Sequence, residues 1–197
     1  MPAKSILKRG FKAKAERMAK QYRENLNIHP CDPLCALKLA KHLEIPVYDA
    51  TEFLSLISDI NILSGSNGKY CEWSALTMIT KKGNRIIIQN PFHSLARQQS
   101  DLMHELAHII CKHERHQTEY NFEIPFGMIE FDEVQEEEAK CLGSALQLPT
   151  PCLLWAKKRS MTTEEIAEHY NASNDMVTYR MNMTGIARKP SFNRKSN

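Results

Sequence analysis

The chain has 197 residues, of which 42% are hydrophobic and 25% are charged, and its formal net charge is +3. This size allows one compact domain with a sizeable core and a small appendage. No apolar run approaches the ~20 residues of a membrane-spanning helix, and the weak positive charge argues against a nucleic-acid-binding polycation.

The first twenty residues are basic and lack the apolar stretch of a secretory signal. We therefore expect a cytoplasmic protein whose 6 cysteines are reduced thiols.

The amino-terminal half predicts short packing elements. Residues 11–22 carry apolar side chains at helical spacing. Asp32 and Pro33 are typical of the N-cap and first turn of a second helix. A short strand is expected at 45–48 and a short helix at 51–57.

A β-hairpin is predicted next, from two strand-like stretches at residues 72–80 and 85–89. The connection Lys81-Lys-Gly-Asn84 has the composition of a tight turn. We expect this hairpin to lie against the helix that follows it.

That helix contains the most informative string of the chain, His104-Glu-Leu-Ala-His108, and Ser94 is its expected N-cap. Its apolar positions at helical spacing are Leu95, Leu102, Leu106, Ile109 and Ile110. Residues at i and i+4 share one helix face, so both imidazoles can bind one Zn²⁺. Glu105 can then act as the general base for an attacking water. This arrangement is typical of zinc peptidases. The alternative is a pair of core histidines beside a solvated glutamate.

The third ligand decides the class of zinc site. A metzincin would need Gly at position 111 and His at position 114, but the chain has Cys111 and Glu114 there, so that class is excluded. Position 113 faces another side of the helix and position 116 lies past its end. We therefore expect His113 and His116 to be solvated surface groups.

An acidic ligand from a later helix is the natural alternative. Residues 132–148 predict that helix, which Pro149 ends. Three consecutive glutamates, 136–138, span most of a helical turn, so only one of them can face the metal. For Glu137 and Glu138 we expect a solvated position that complements the helix dipole.

The carboxy-terminal part predicts a helix-turn-helix-like pair. Thr162 or Thr163 caps a helix that runs to Tyr170, and a second helix spans 175–183. This second helix, which would be the recognition helix, has Arg180 as its sole cation, so we do not expect direct nucleic-acid binding.

We therefore divide the chain into three parts. These are a metallopeptidase core at 1–157, a helix-turn-helix-like packing and recognition element at 158–187, and a basic disordered tail at 188–197.

Several of these motifs resemble the ImmA/IrrE metallopeptidases. The segments that carry the resemblance are Asn90-Pro91, Ser94-Leu-Ala-Arg97-Gln98, Asp101 to His108, Glu136-Glu-Glu-Ala139 and Leu146-Gln-Leu-Pro149. In that family His-Glu-x-x-His is followed by Glu-x-x-Ala-Asn and by a helix that ends in Leu-Met-Pro or Leu-Leu-Pro. Aligning Ala139 with the family's alanine puts the third ligand at Glu136. The chain departs from the pattern at Lys140, where Asn or an acidic residue is usual, and at Gln147.

The resemblance implies an α+β, gluzincin-like zinc endopeptidase with a small antiparallel sheet beside the metal-binding helix. His104, His108 and Glu136 would hold Zn²⁺, and Glu105 would be the general base. The resemblance also implies a partner, a helix-turn-helix repressor of a mobile element, prophage or stress regulon, as the substrate.

An oxyanion-stabilising donor should exist as well, and the candidates are Arg180, Tyr179 and His169. Two other classes remain open. One is a DNA-binding regulator with a structural or vestigial metal site, and the other is a protein that binds a repressor without cutting it.

Overall fold

The computed structural model describes residues 6–56, 73–113 and 132–188. These residues form seven α-helices and a three-stranded sheet, so the predicted α+β class is confirmed. The helices are α1 (Phe11–Asn25), α2 (Ala36–His42), α3 (Leu95–Cys111), α4 (Glu133–Gln147), α5 (Thr150–Lys158), α6 (Thr163–His169) and α7 (Asn174–Thr184). The strands are β1 (Val47–Asp49), β2 (Ala75–Ile79) and β3 (Arg85–Gln89), and short 3₁₀ helices cover Ala50–Leu56 and Ile186–Arg188.

The sheet has the order β1-β3-β2. The predicted hairpin is confirmed: β2 pairs antiparallel with β3, from Ala75 opposite Gln89 to Ile79 opposite Arg85. Gly83 closes the turn with a φ of 81°, a value that favours glycine. The sheet is mixed and not purely antiparallel as expected, because β1 pairs parallel with β3. A parallel pair needs a long crossover connection, which the chain between these two strands supplies.

The centre of the core is the contact between α3 and α4. The residues that these two helices bury there are Leu102, Met103, Leu106, Ala107, Ala139, Leu142, Ala145 and Leu146. Gly143 lets the helices approach closely, since a Cβ atom at this position would lie 3.0 Å from the Met103 carbonyl oxygen and 3.1 Å from the Cα of His104. The two helices are therefore in close contact beside His104.

Two buried arginines stabilise the carboxyl end of α4. Arg23 of α1 donates to the carbonyl oxygens of Leu146 at 2.9 Å and Gln147 at 3.4 Å. Arg180 of α7 donates to the carbonyl oxygen of Leu148 at 2.9 Å. The last carbonyls of a helix lack intrahelical partners and carry a partial negative charge, so cationic donors there are favourable.

The start of α2 differs from the prediction. Asp32 is not its N-cap: its N–H bonds the His29 carbonyl at 2.9 Å in a preceding turn, and the helix begins at Ala36. The N–H of Ala36 donates to Oε1 of Gln99, which belongs to α3, at 3.0 Å. A side chain distant in sequence therefore caps this helix.

The predicted carboxy-terminal helices are present as α6 and α7. Thr162 caps α6 in a reciprocal arrangement with Glu165. A second apolar cluster lies beside the main core and is formed by buried residues of α5, α6, α7 and their flanking residues. It includes Ile166, Tyr170, Val177 and Ile186. Division of the chain at residues 157 and 187 stays a prediction, and residues 189–197 of the proposed tail lie outside the described residues. Within the described ranges, no helix has the length and apolarity needed to cross a membrane.

Candidate metal centre

His104 and His108 lie one turn apart on α3, and their rings converge. The Nε2 atoms of the two rings are 3.0 Å apart. The Oγ of Ser94 accepts a hydrogen bond from the Arg97 N–H at 3.3 Å, as expected of the N-cap of this helix. The side chain of His104 is 31% exposed and that of His108 is 1% exposed, so the pair opens to solvent on the His104 side.

Glu136 brings a carboxylate to the same point from the first turn of α4. Its Oε2 lies 3.1 Å from Nε2 of His104, and its Oε1 lies 3.5 Å from Nε2 of His108. Asp132 begins this helix with a capping box closed by Gln135, which fixes where the first turn points. The structure thus brings together the three residues that the sequence proposes as ligands.

The spacing of these atoms fits a divalent metal ion. Zinc bonds to imidazole nitrogen and carboxylate oxygen are about 2.0–2.2 Å long, so the ligand atoms of a tetrahedral site lie about 3.3 Å apart. The separations here, 3.0 to 3.5 Å, agree with that value. Two imidazoles and one carboxylate leave a fourth position, and Glu136, with a side chain 48% exposed, lies at the open side.

The local electrostatics favour a cation. Hydrogen bonds with His104 and His108 hold the pKa of Glu136 well below its ordinary value. Burial alone would lower the pKa of His104, but the hydrogen bond with Glu136 and the negative charge of Glu105 outweigh it, so this pKa is raised. Burial lowers the pKa of His108. Glu136 is therefore a carboxylate across the neutral range.

Glu105 lies beside the cluster and is held by the sheet. The Oγ1 of Thr77, in β2, donates a hydrogen bond of 2.6 Å to its Oε2. Burial raises the pKa of Glu105, and this hydrogen bond acts in the opposite direction. Thr77 was not among the site residues predicted from the sequence, although it is a polar residue between Ala75 and Ile79 on one face of an otherwise apolar strand.

His113 and Glu138 are not solvated as expected. His113 is 5% exposed and the side chain of Glu138 is 13% exposed. Lys112 adopts a left-handed conformation with a φ of 57° and ends α3, so the His113 N–H bonds the His108 carbonyl at 3.0 Å. The left-handed Lys112 reverses the direction of the chain, which a continuing helix would not do, and so turns His113 back toward His108. Glu137 does lie at the surface, 3.6 Å from Lys140, and His116 is outside the described residues.

The three candidate oxyanion donors make their described contacts outside the cluster. Arg180 donates its hydrogen bond to the Leu148 carbonyl. Leu148 lies about 18 Å along α4 from Glu136, at about 1.5 Å per residue. His169 stacks on Trp155, with ring centroids 5.2 Å apart.

Tyr179, the third candidate, lies beneath Lys140, whose Nζ is 5.3 Å from the ring centroid. None of the three donors makes a hydrogen bond or ion pair with the cluster in the described part of the chain.

One comparison with known proteins identifies a family. The sequence model described as peptidase M78, the IrrE N-terminal-like domain, matches residues 60–182, well over half of the chain. This range contains every residue of the cluster and of its surroundings described above. No curated protein matches the chain.

Proposed function

The chain belongs to the IrrE N-terminal-like, or ImmA/IrrE, family of peptidases, and from this we propose that it is a zinc-dependent endopeptidase of the gluzincin type. The observation that carries the proposal is the convergence of two histidine Nε2 atoms and one carboxylate at the separations of a zinc site. His104, His108 and Glu136 are the proposed ligands.

The chemistry follows from what these residues do. When bound, a zinc ion would polarise the peptide carbonyl and make the attacking water more acidic. Glu105 accepts the proton of that water and then delivers it to the amine that leaves. Burial raises the pKa of Glu105, which makes its carboxylate a stronger base.

The substrate would bind as an extended strand along β2. Within the described sheet β2 is an edge strand, since only β3 pairs with it. The backbone groups on its other side can pair with a peptide. The hydrogen bond between Thr77 and Glu105 holds this strand against α3, so a peptide paired there would lie beside the base.

By resemblance to the family, we propose that the substrate is a helix-turn-helix repressor of a mobile element, prophage or stress regulon, cut once in the cytoplasm. The alternative of a DNA-binding regulator has less support, because Arg180, the only cation of α7, is buried and bonded to Leu148.

The test begins by asking whether the gene beside this one encodes a helix-turn-helix repressor. That repressor is then incubated with the zinc-loaded protein, and the products are analysed by mass spectrometry. A single cut that is abolished by a chelator and by Glu105→Gln supports the proposal. The Glu105→Gln protein should still contain zinc and remain folded, since Glu105 is not a proposed ligand. Tight binding of the repressor without any cut would favour the non-catalytic alternative.

A further inference from the structure

A line of hydrogen-bonded side chains leads from the cluster into the protein. His108 presents Nε2 to the cluster, and its Nδ1 lies 2.9 Å from Nδ1 of His113. The Nε2 of His113 lies 3.2 Å from Oε2 of Glu138. Glu138 is on α4, two residues after Glu136, so α4 supplies both the proposed third ligand and the far end of this line.

The chemistry of the partners decides where the hydrogens are. A carboxylate can only accept, so the proton of a neutral His113 is on Nε2, toward Glu138. The Nδ1 of His113 is then bare and can only accept a hydrogen bond. His108 must therefore carry its proton on Nδ1, which leaves its Nε2 lone pair directed at the cluster.

We propose that His113 and Glu138 are positioning residues that fix the ring orientation and the tautomer of His108 for metal binding. The inference rests on the proposed metal function, and it concerns residues to which that function assigns no role. A histidine ligand generally donates its second N–H to a partner that fixes the ring and increases its basicity. Here the partner is a second histidine, which the left-handed Lys112 places and which Glu138 in turn orients.

The burial of these side chains strengthens the hydrogen bonds between them. His108 and His113 are 1% and 5% exposed, so little water competes for their Nδ1 atoms. Hydrogen bonds in such a setting are stronger than at a surface, and a member left without a partner is costly.

The test measures zinc affinity by competition with a chromogenic chelator in full-length protein. His113→Ala and Glu138→Gln should each bind zinc about 10-fold to 100-fold more weakly than the wild type. His113→Gln, which keeps an acceptor, should recover part of the loss. Glu137→Gln is the matched control, since Glu137 is the adjacent glutamate and pairs with Lys140 at the surface; its zinc affinity should not change.

A spectroscopic measurement on wild-type protein tests the tautomers without substitution. Nitrogen-15 NMR of the histidine rings in the zinc-loaded protein should show His108 protonated at Nδ1 and His113 protonated at Nε2. The opposite assignment would overturn the proposal. Because this measurement needs no variant, it tests the proposal even if His113→Ala does not fold.

The outcomes also separate this inference from the proposed function. Wild-type protein that binds zinc, with variants that bind it equally well and only melt at a lower temperature, would reduce His113 and Glu138 to a packing role. Wild-type protein that binds no zinc would overturn both proposals. Circular dichroism of the metal-free variants provides the control for folding.

Discussion

Thr77 Oγ1 donates a hydrogen bond of 2.6 Å to Glu105 Oε2 and so joins the middle of β2 to the helix that carries both histidines. A carboxylate beside a metal site can rotate toward the metal and become a ligand, or it can be held away from it. A hydroxyl donor on the sheet holds Glu105 on the strand side. The other oxygen, Oε1, is then the one that would accept the proton of the attacking water.

The first prediction follows from this contact. Thr77→Val keeps the shape of the side chain and removes the donor, so Glu105 loses its fixed orientation. Hydrolysis should slow by about tenfold or more, since tenfold corresponds to about 1.4 kcal/mol and a hydrogen bond to a charged group contributes about 1.5–3 kcal/mol. Zinc content should not change. The measurement is the cleavage rate at saturating substrate, and Thr77→Ser, which keeps the hydroxyl, should cleave at nearly the wild-type rate.

The second prediction concerns which glutamate of α4 is the ligand. Glu136→Gln should lose the zinc on dialysis, because a neutral amide replaces the only anionic donor of the three. Glu137→Gln should keep one zinc ion per chain, since Glu137 pairs with Lys140. Metal analysis of the two purified variants decides the point. Zinc retained by Glu136→Gln and lost by Glu137→Gln would place the ligand one residue later.

The third prediction tests the close contact between α3 and α4. In a helix Ala is favoured over Gly by about 1 kcal/mol, so Gly143→Ala would stabilise the protein if space allowed. The added Cβ would instead lie 3.0 Å from the Met103 carbonyl oxygen, a backbone atom that cannot move alone. We expect a net loss of about 1–3 kcal/mol in the free energy of unfolding, with weaker zinc binding because His104 moves. A more stable variant in urea unfolding would contradict this.

The parts predicted from sequence are those that local pattern determines. The helix of the two histidines follows from its apolar spacing and from Ser94, and the hairpin follows from strand-like stretches around a turn with Gly83. The burial of His113 could not be predicted in this way. The reversal that buries it depends on a left-handed Lys112, and the usual sequence signal for that conformation, a glycine, is absent.

Contacts between residues that are distant in sequence explain the other differences between the predicted and the observed structure. Arg180 is a candidate oxyanion donor on sequence grounds because a cation near a peptidase site can stabilise the negative charge of the transition state. Sequence cannot show that its guanidinium is instead buried at the end of α4. The start of α2 was misplaced for a similar reason, because its cap is Gln99, a residue of another helix.

The fourth prediction concerns the thiols. Burial raises the pKa of Cys111 and of Cys152 to about 11, so both are neutral thiols at pH 7 and below. Cys35 is exposed. In native protein iodoacetamide should modify Cys35 within minutes, while Cys111 and Cys152 react only on unfolding or as the pH approaches 11. Mass spectrometry of the peptides gives the order. Rapid modification of Cys152 at pH 7 would mean that α5 is not packed as described.

The last prediction concerns the carboxy-terminal helices, which we expect to be part of the folded core. The Tyr170 hydroxyl, at the end of α6, donates to the Cys31 carbonyl at 2.7 Å. Arg180 of α7 binds Glu16 of α1 and the Leu148 carbonyl. A chain truncated after Trp155 would expose the apolar surface that these helices cover, so it should aggregate or unfold at a lower temperature.

Two further variants make that prediction specific. Arg180→Met in the full chain should cost about 3 kcal/mol in the free energy of unfolding, because the Leu148 carbonyl loses its buried donor. Glu16 also loses its cationic partner and keeps only the hydrogen bond from the Thr150 N–H. Removal of residues 189–197 alone should leave peptidase activity intact. A folded, fully active fragment that ends at Trp155, together with sequence-specific DNA binding by the excised segment, would instead restore the regulator hypothesis.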